Sequence, residues 1–318
     1  MGLLPLGVTF ALIVHGRSIS ISRDYEELDL DRQLKLINKP PLKTIHTDGY
    51  IVDCIDINKQ PAFDNPLLKN HKIQLKPSFE VTSTKSTRLS SIGIEEDLCP
   101  NGTVPIRRTT KDDLIRVKQL SHMNDGILNK DIPGRHYAGV NLKIEENRRY
   151  FAIKGIIDVY NLPVQNADQI TGAYIYLQNG GSVNDKNVIM VGWEDPETNN
   201  WWVRLENKNL GYYPGILFSN LAYAKLGGWT GMTSTPRGIP SPPMGSGHFP
   251  DNNLLRSCYI RQMNFQTDTR KNLGPTNYQY AVASTDNPNC FGVQYQGYND
   301  DIQGYAMLFG GPGGNCGE

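Results

Sequence analysis

Ile189–Leu205 reads IMVGWEDPETNNWWVRL. A β-like run ends at Gly192–Trp193, a polar turn follows, and Trp201–Trp202 open a second β-like run. Glu194 and Glu197 flank Pro196 in this turn, and a solvated turn carboxylate is expected of each, because catalysis needs a second positioned group. Trp201 and Trp202 point to opposite faces of a strand. One is expected in the core, and the other lines a groove with Tyr212, Tyr213 or Trp229. Aromatic platforms of this kind bind sugars, proline-rich peptides or a partner surface, while plain core packing accounts for at least half of the five.

The same texture continues on both sides. From Tyr137 onward the runs YAGVNLKI, RYFAIKGIIDVYN, ITGAYIYLQN, NVIMVGW, NWWVRLEN, SCYIRQMNFQ, YQYAVAS and YAMLFGG read as strands. Turn clusters of Gly, Asn, Asp and Pro separate them, and LFSNLAYAKLG reads as a brief helix. This pattern is that of an antiparallel β-sandwich. Upstream the texture is mixed. DYEELDLDRQLKLIN at residues 24–38 puts Leu28, Leu34 and Ile37 on one helical face, stopped by Pro40–Pro41. GYIVDCIDINKQ at 49–60 alternates as a strand, residues 80–98 form an exposed flexible segment, and TKDDLIRVKQL is a second helix with Thr110 as N-cap and Asp113 three residues on.

The chain begins MGLLPLGVTFALIVHGRSIS, an apolar run too short to span a bilayer and followed by small residues, as in a secretory signal peptide without a basic n-region. The alternative is a buried N-terminal strand. The division expected is a signal peptide at 1–18, a small α+β module with its linker at 19–135, and an all-β sandwich at 136–318. Lysine plus arginine and aspartate plus glutamate both number 32, so no net field recruits nucleic acid or an anionic membrane. In a secreted chain some of the five cysteines pair and one is left over. Asn101-Gly-Thr is an acceptable N-glycosylation sequon.

Familiar catalytic motifs do not appear. There is no H-E-x-x-H, Walker loop or G-x-S-x-G, and no C-x-x-C or cysteine–histidine cluster for zinc, so neither metal nor cofactor is expected. Ser246 and His248 in PPMGSGHFP are too close in sequence for the geometry of a triad.

NKPPLKTI, DGYIVDCIDINKQPAFDNPLLKNHKIQLKPS and CPNGTVPIRRT resemble the activation peptide of the plant neprosin-like family. YLQNG, the Gly192–Trp193 pair, DPETNNWW, LGYYPGILFSNL, MGSGHFP and GGPGGNC are similar to the neprosin domain itself. The resemblance implies a secreted protein made as an inhibitory propeptide plus an antiparallel β-sandwich. It also implies a glutamic endopeptidase that cleaves after proline at acid pH, with one glutamate as general base and the other, protonated, polarising the scissile carbonyl. Mutual repulsion between neighbouring carboxyls keeps one protonated and one ionised.

Three departures stand out. The first family glutamate precedes Gly-Trp, and Met190 occupies its place in Asn187-Val-Ile-Met190-Val-Gly192-Trp193. The second closes a Trp-Gly-Gly-Glu motif, and Met232 takes that place in Trp229-Thr230-Gly231-Met232. A thioether is neither acid nor base at any relevant pH. Third, the family places several dozen residues between Gly-Trp and Asp-Pro-x-x-x-x-Trp-Trp, whereas here Trp193 runs directly into Glu194-Asp195-Pro196. Several strands of the sandwich are therefore expected to be absent, and either the closure is rebuilt around a short turn or an exon has been skipped.

The resemblance also implies a Cys290–Cys316 bridge; a pairing of Cys54 with Cys99 within the propeptide is a further expectation, and Cys258 would then be the odd thiol. Cleavage between propeptide and sandwich is expected in Lys130–Arg135. Three readings follow. One is a secreted family member that has lost peptidase chemistry, with Glu194 as the nearest fallback carboxylate. Another is an extracellular binding module that holds proline-rich peptides or cell-wall glycans through Trp201, Trp202, Tyr212, Tyr213 and Trp229. The last is a truncated product that does not fold.

Overall fold

The computed structural model describes residues 2–3, 23–78, 99–115, 132–160, 162, 164, 169–180, 187–190, 192–205, 208–254, 256–276 and 280–317. The expected signal peptide and the expected flexible stretch 80–98 lie almost entirely outside them. The chain divides into two compact units, residues 1–124 with 195–217, and residues 125–194 with 218–318.

In chain order β1 (Gly2–Leu3) is followed by helix α1 (Arg23–Ile37) and then by β2 (Lys43–Thr47), β3 (Tyr50–Asp56) and β4 (Thr103–Arg107). Next come β5 (Arg135–Leu142), β6 (Ala152–Ile157), β7 (Ile170–Asn179), β8 (Asn187–Ile189) and β9 (Gly192–Glu194). A hairpin, β10 (Trp201–Leu205) and β11 (Lys208–Tyr213), precedes β12 (Leu226–Ser234), β13 (Met244–Gly245) and β14 (Cys258–Gln266). The chain closes with β15 (Asn272–Leu273), β16 (Ala281–Thr285), β17 (Gly292–Tyr298) and β18 (Tyr305–Gly311).

In the first unit β3 pairs antiparallel with β2 and β4, and Cys54–Cys99 staples this sheet. Helix α1 forms where expected, but its face is different. Leu28 is 68% exposed, whereas Leu30 is buried with Leu34 and Ile37 half-buried. The spacing explains the correction: residues 30, 34 and 37 recur at i, i+4 and i+7, whereas Leu28 and Leu34 lie six apart and face away from each other. The Asn38 side chain follows the helix, donating to Thr109 O and accepting from Thr109 N. A capping box starts the second helix: Asp113 N donates to Thr110 Oγ1, and Thr110 N donates back to the Asp113 carboxylate. The described part of that helix ends at residue 115.

The hairpin β10–β11 belongs to this first unit, with Trp201 opposite Tyr213 and Trp202 opposite Tyr212. Its approach is a tight loop in which Asn199 N donates to Asp195 O and Asp195 N donates to Asn200 O.

The second unit is a sandwich of two antiparallel sheets. One has the order β16-β5-β12-β7-β8, and the other contains β9-β6-β14-β18-β13, with β15 on β14 and β17 on β18. The core lies between them. Trp229 of β12 is fully buried, and its Nε1 donates to Lys154 O of the facing sheet at 2.9 Å. A Cβ added at Gly155 would meet Ile175, Trp229 and Ile260 at 3.1–3.2 Å, which marks how closely the layers approach.

β12 is the central strand of its sheet, yet its sequence LGGWTGMTS shows little alternation, because glycines hold three of nine positions. Those glycines are a packing requirement. A Cβ at Gly231 would lie 2.4 Å from the Phe309 ring and 2.6 Å from Met244 Sδ.

Two further expectations are corrected. NVIMVGW is not one strand: β8 ends at Ile189, Met190 sits in a bend, and β9 begins at Gly192 in the other sheet. Gly192 has φ 150°, a backbone that side-chain-bearing residues avoid, and this corner lets the chain change sheets. LFSNLAYAKLG forms no helix. A 3-10 turn at Gly215–Leu217 leads into bends and turns, held where the Asn179 side chain donates to the carbonyls of Asn220 and Tyr223. Despite the short connection after Trp193, β9 is paired, with Ala152 opposite Trp193 and Ile153 opposite Gly192.

Candidate functional site

β12 carries Met232 at the centre of its sheet, opposite Tyr137 on β5 and Gly172 on β7. Side chains alternate along strands, so residues in register with Met232 share its face. Trp229 and Gly231 point into the core, so Thr230 and Met232 face the other way, with Tyr137 and Asn141 on one side and Tyr174 and Tyr176 on the other. Tyr176 Oη donates to Asn141 Oδ1 at 2.8 Å across this face.

This face carries buried phenols beside one cation, Arg135, which lies opposite Ser234. Burial pushes Tyr137 up to about 12, against the pull of Arg135, and raises Tyr174 and, most strongly, Tyr176. These hydroxyls stay protonated at any working pH and offer no base. Among the described strand residues that share the face there is no aspartate or glutamate.

Met190, expected to partner Met232, is 41% exposed in the bend after β8. β8 and β12 flank β7, with Ile189 opposite Leu177 and Met232 opposite Gly172. Strand spacing and rise put the two methionine backbones roughly 15 Å apart. The structure therefore does not bring these two positions together.

Glu194 is not the solvated turn residue expected. It is 2% exposed and lies on β9, its N donating to Phe151 O at 2.8 Å. Arg270 Nη2 reaches its carboxylate at 2.6 Å, and Arg270 Nη1 donates to its carbonyl at 2.8 Å. Arg270, its side chain 24% exposed, thus engages both the carboxylate and the carbonyl of the group expected as the fallback, a structural use of that side chain. Glu197 alone fits the turn expectation, exposed beside Pro196.

The expected aromatic groove is closed. Trp201, Trp202 and Trp229 are fully buried, Tyr212 is 1% exposed, and only Tyr213 is half-exposed. Trp202 stacks on Tyr212 at 4.9 Å between ring centres. Residues 71–78 cover that face, because His71 Nε2 lies 2.7 Å from Tyr212 Oη and Gln74 N donates to the same oxygen at 2.9 Å. Alternation does put the tryptophans on opposite faces, but both faces are buried.

Ser246 Oγ makes no hydrogen bond, so no Ser246–His248 pair forms. Among the described residues no group of three or more His, Cys, Asp and Glu is arranged to hold a metal ion. Two contacts had no local signal in the sequence. His136 Nδ1 lies 2.7 Å from the Asp286 carboxylate, which also accepts from Tyr137 N, across 150 residues of chain. Asp195, which seemed an ordinary turn residue, is fully buried and held by Gln74 and Ser78.

Two family models match the chain: neprosin over residues 179–312 and neprosin activation peptide over residues 44–154. The chain belongs to the neprosin family. The neprosin match contains Met190, Met232 and the β10–β11 hairpin, and the activation-peptide match runs on through β5 and into β6. The bridges Cys54–Cys99 and Cys290–Cys316 are both formed, and Cys258 is free and buried. Asn101 of the sequon is exposed in a turn.

Proposed function

We propose that this chain is a secreted neprosin-like protein that no longer performs glutamic-peptidase chemistry. The observation that carries the reading is Met232, 6% exposed at the centre of β12 on a face lined by tyrosines, where the described strand residues include no carboxylate. General-base activation of water needs a group able to take a proton, and the opposing carbonyl needs one able to give it. Neither methionine does either, and Glu194 is bound to Arg270. Two disulfides accord with an oxidising compartment, and no described helix is long and apolar enough to cross a membrane.

The test is cleavage of a proline-containing peptide at acid pH by the purified, processed protein, beside an active glutamic peptidase. No turnover above buffer is expected, and robust cleavage abolished by Glu194→Gln would overturn the reading. A binding role for proline-rich peptides or cell-wall glycans draws less support, since Trp201, Trp202, Tyr212 and Trp229 are all buried.

A further inference from the structure

The first compact unit is assembled from both family regions. Residues 71–78 lie within the activation-peptide match, and the loop and hairpin from Asp195 to Tyr213 lie within the neprosin match. Seven hydrogen bonds join them. Ser78 N donates to Asp195 Oδ2 at 2.6 Å, and Ser78 Oγ donates to Asp195 Oδ1. Gln74 uses both ends of its amide: Nε2 donates to Asp195 Oδ2 at 3.0 Å, and Oε1 accepts from Asn200 Nδ2 at 2.7 Å and Thr198 Oγ1 at 3.0 Å. Tyr212 Oη completes the set with Gln74 N and His71 Nε2.

This contact is built rather than incidental. Asp195 is 0% exposed and its own loop gives it one donor, Glu197 N at 3.0 Å, so the rest of the compensation for this buried carboxylate comes from Gln74 and Ser78. Tyr212 is 1% exposed and its phenol is satisfied by the same segment. No disulfide ties the two sides: Cys54–Cys99 lies wholly before residue 124 and Cys290–Cys316 wholly after it. Whatever holds them after the connecting chain is cut is non-covalent.

We propose that the Asp195–Tyr213 hairpin is a docking site that keeps the activation peptide bound after the chain is cut, through recognition of the segment HKIQLKPS at residues 71–78. The activation peptide is then a lasting second chain of the protein rather than a discarded leader. Charge-assisted bonds to a buried carboxylate, a carboxamide bonded at both ends and a covered Trp202–Tyr212 pair are the interactions that slow dissociation. This does not depend on whether peptidase chemistry is lost.

The test uses the full chain with a protease recognition sequence inserted after Asn124. The protein is cut at neutral pH without reductant and run through size exclusion. Both fragments are expected in one peak, and their separation overturns the proposal. The release rate of the N-terminal fragment then locates the contact. Gln74→Ala with Ser78→Ala, and separately Tyr212→Phe, are expected to speed release by tenfold or more. Release within twofold of the unsubstituted protein in both would place the grip elsewhere and overturn the assignment. A synthetic peptide of residues 71–78 gives the same answer without altering the protein. In excess it should increase the fraction released, while its version with alanine for Gln74 and Ser78 should not, and equal behaviour of the two peptides counts against the site.

Discussion

Arg270 sits with its guanidinium 3.9 Å from the centre of the Phe151 ring while its Nη2 lies 2.6 Å from the Glu194 carboxylate. One side chain thus holds β9 to β6: it stacks on the residue before β6 and binds the last residue of β9, at the point where the chain leaves the second unit. Glu194 is almost fully buried, so losing this arginine removes compensation from a buried charge. Arg270→Ala should cost about 3–5 kcal/mol. Arg270→Met, which keeps the stacking volume, should cost nearly as much, because the lost ion pair with a buried carboxylate is the dominant loss. Urea melts of the two variants check this, and a loss below about 1 kcal/mol in both would show the pair to be dispensable.

Met232→Glu should not restore peptidase activity. The new carboxylate would lie among buried tyrosines with its expected partner position roughly 15 Å away. Burying an unpaired charge should destabilise the protein by several kcal/mol, and the double variant with Met190→Glu should remain inactive at acid pH. Thermal melts and a proline-peptide assay on the two variants decide it.

Acid should loosen the first unit. Burial pushes the Asp195 carboxyl up, but the Ser78 hydroxyl and N–H, the Gln74 amide and the Glu197 N–H outweigh it, and the group stays below its ordinary value of 3.8. Burial alone depresses His71 below 6.5. For a depressed group, stability is fully present above the unfolded pKa and is lost as pH falls through the folded one. His71 therefore begins to withdraw stability below about 6.5 and Asp195 below about 4. Hydrogen exchange of residues 71–78 should accelerate over both windows, and His71→Gln should remove the upper one. Exchange that is flat from neutral pH to below 4 would refute the linkage.

Gly231→Ala should be disproportionately damaging for a single methyl. The added Cβ would sit 2.4 Å from the Phe309 ring in a closed core. Overpacking of that kind costs about 1–3 kcal/mol, whereas Gly238→Ala, whose Cβ would meet nothing within 4 Å, should cost less despite a φ of +77°. The difference in denaturation midpoints between the two variants measures it.

Cys258 should resist alkylation in the native protein. Its thiol is buried, and desolvation pushes it up to about 12, so almost no thiolate exists at pH 8. Intact-mass measurement after iodoacetamide should show no added label without denaturant and one label with it, provided the two bridges stay closed.

Where alternation or turn residues mark an element, the sequence was readable: ITGAYIYLQN is β7 to the residue, and YAMLFGG is β18. Legibility failed at β12, because close approach of Phe309 and Met244 demands glycine where a strand pattern demands branched side chains. It failed again at NVIMVGW, a run of suitable residues with no local mark that its two ends serve different sheets. Of the candidate site, the two methionines and the disulfide partners could be found by resemblance to a family. The burial of Glu194 and Asp195 could not, since Arg270 and Ser78 lie 76 and 117 residues from them in the chain.

By itself the sequence determined the family and the β-rich class, because residue identity and local periodicity are enough for these. Tertiary structure alone decided what each remaining acidic and aromatic side chain does. A carboxylate in a turn is solvated, ion-paired or clamped according to which distant donors the fold brings to it. A tryptophan lines a groove only if nothing covers its strand, and here residues 71–78 cover Trp202 and Tyr212.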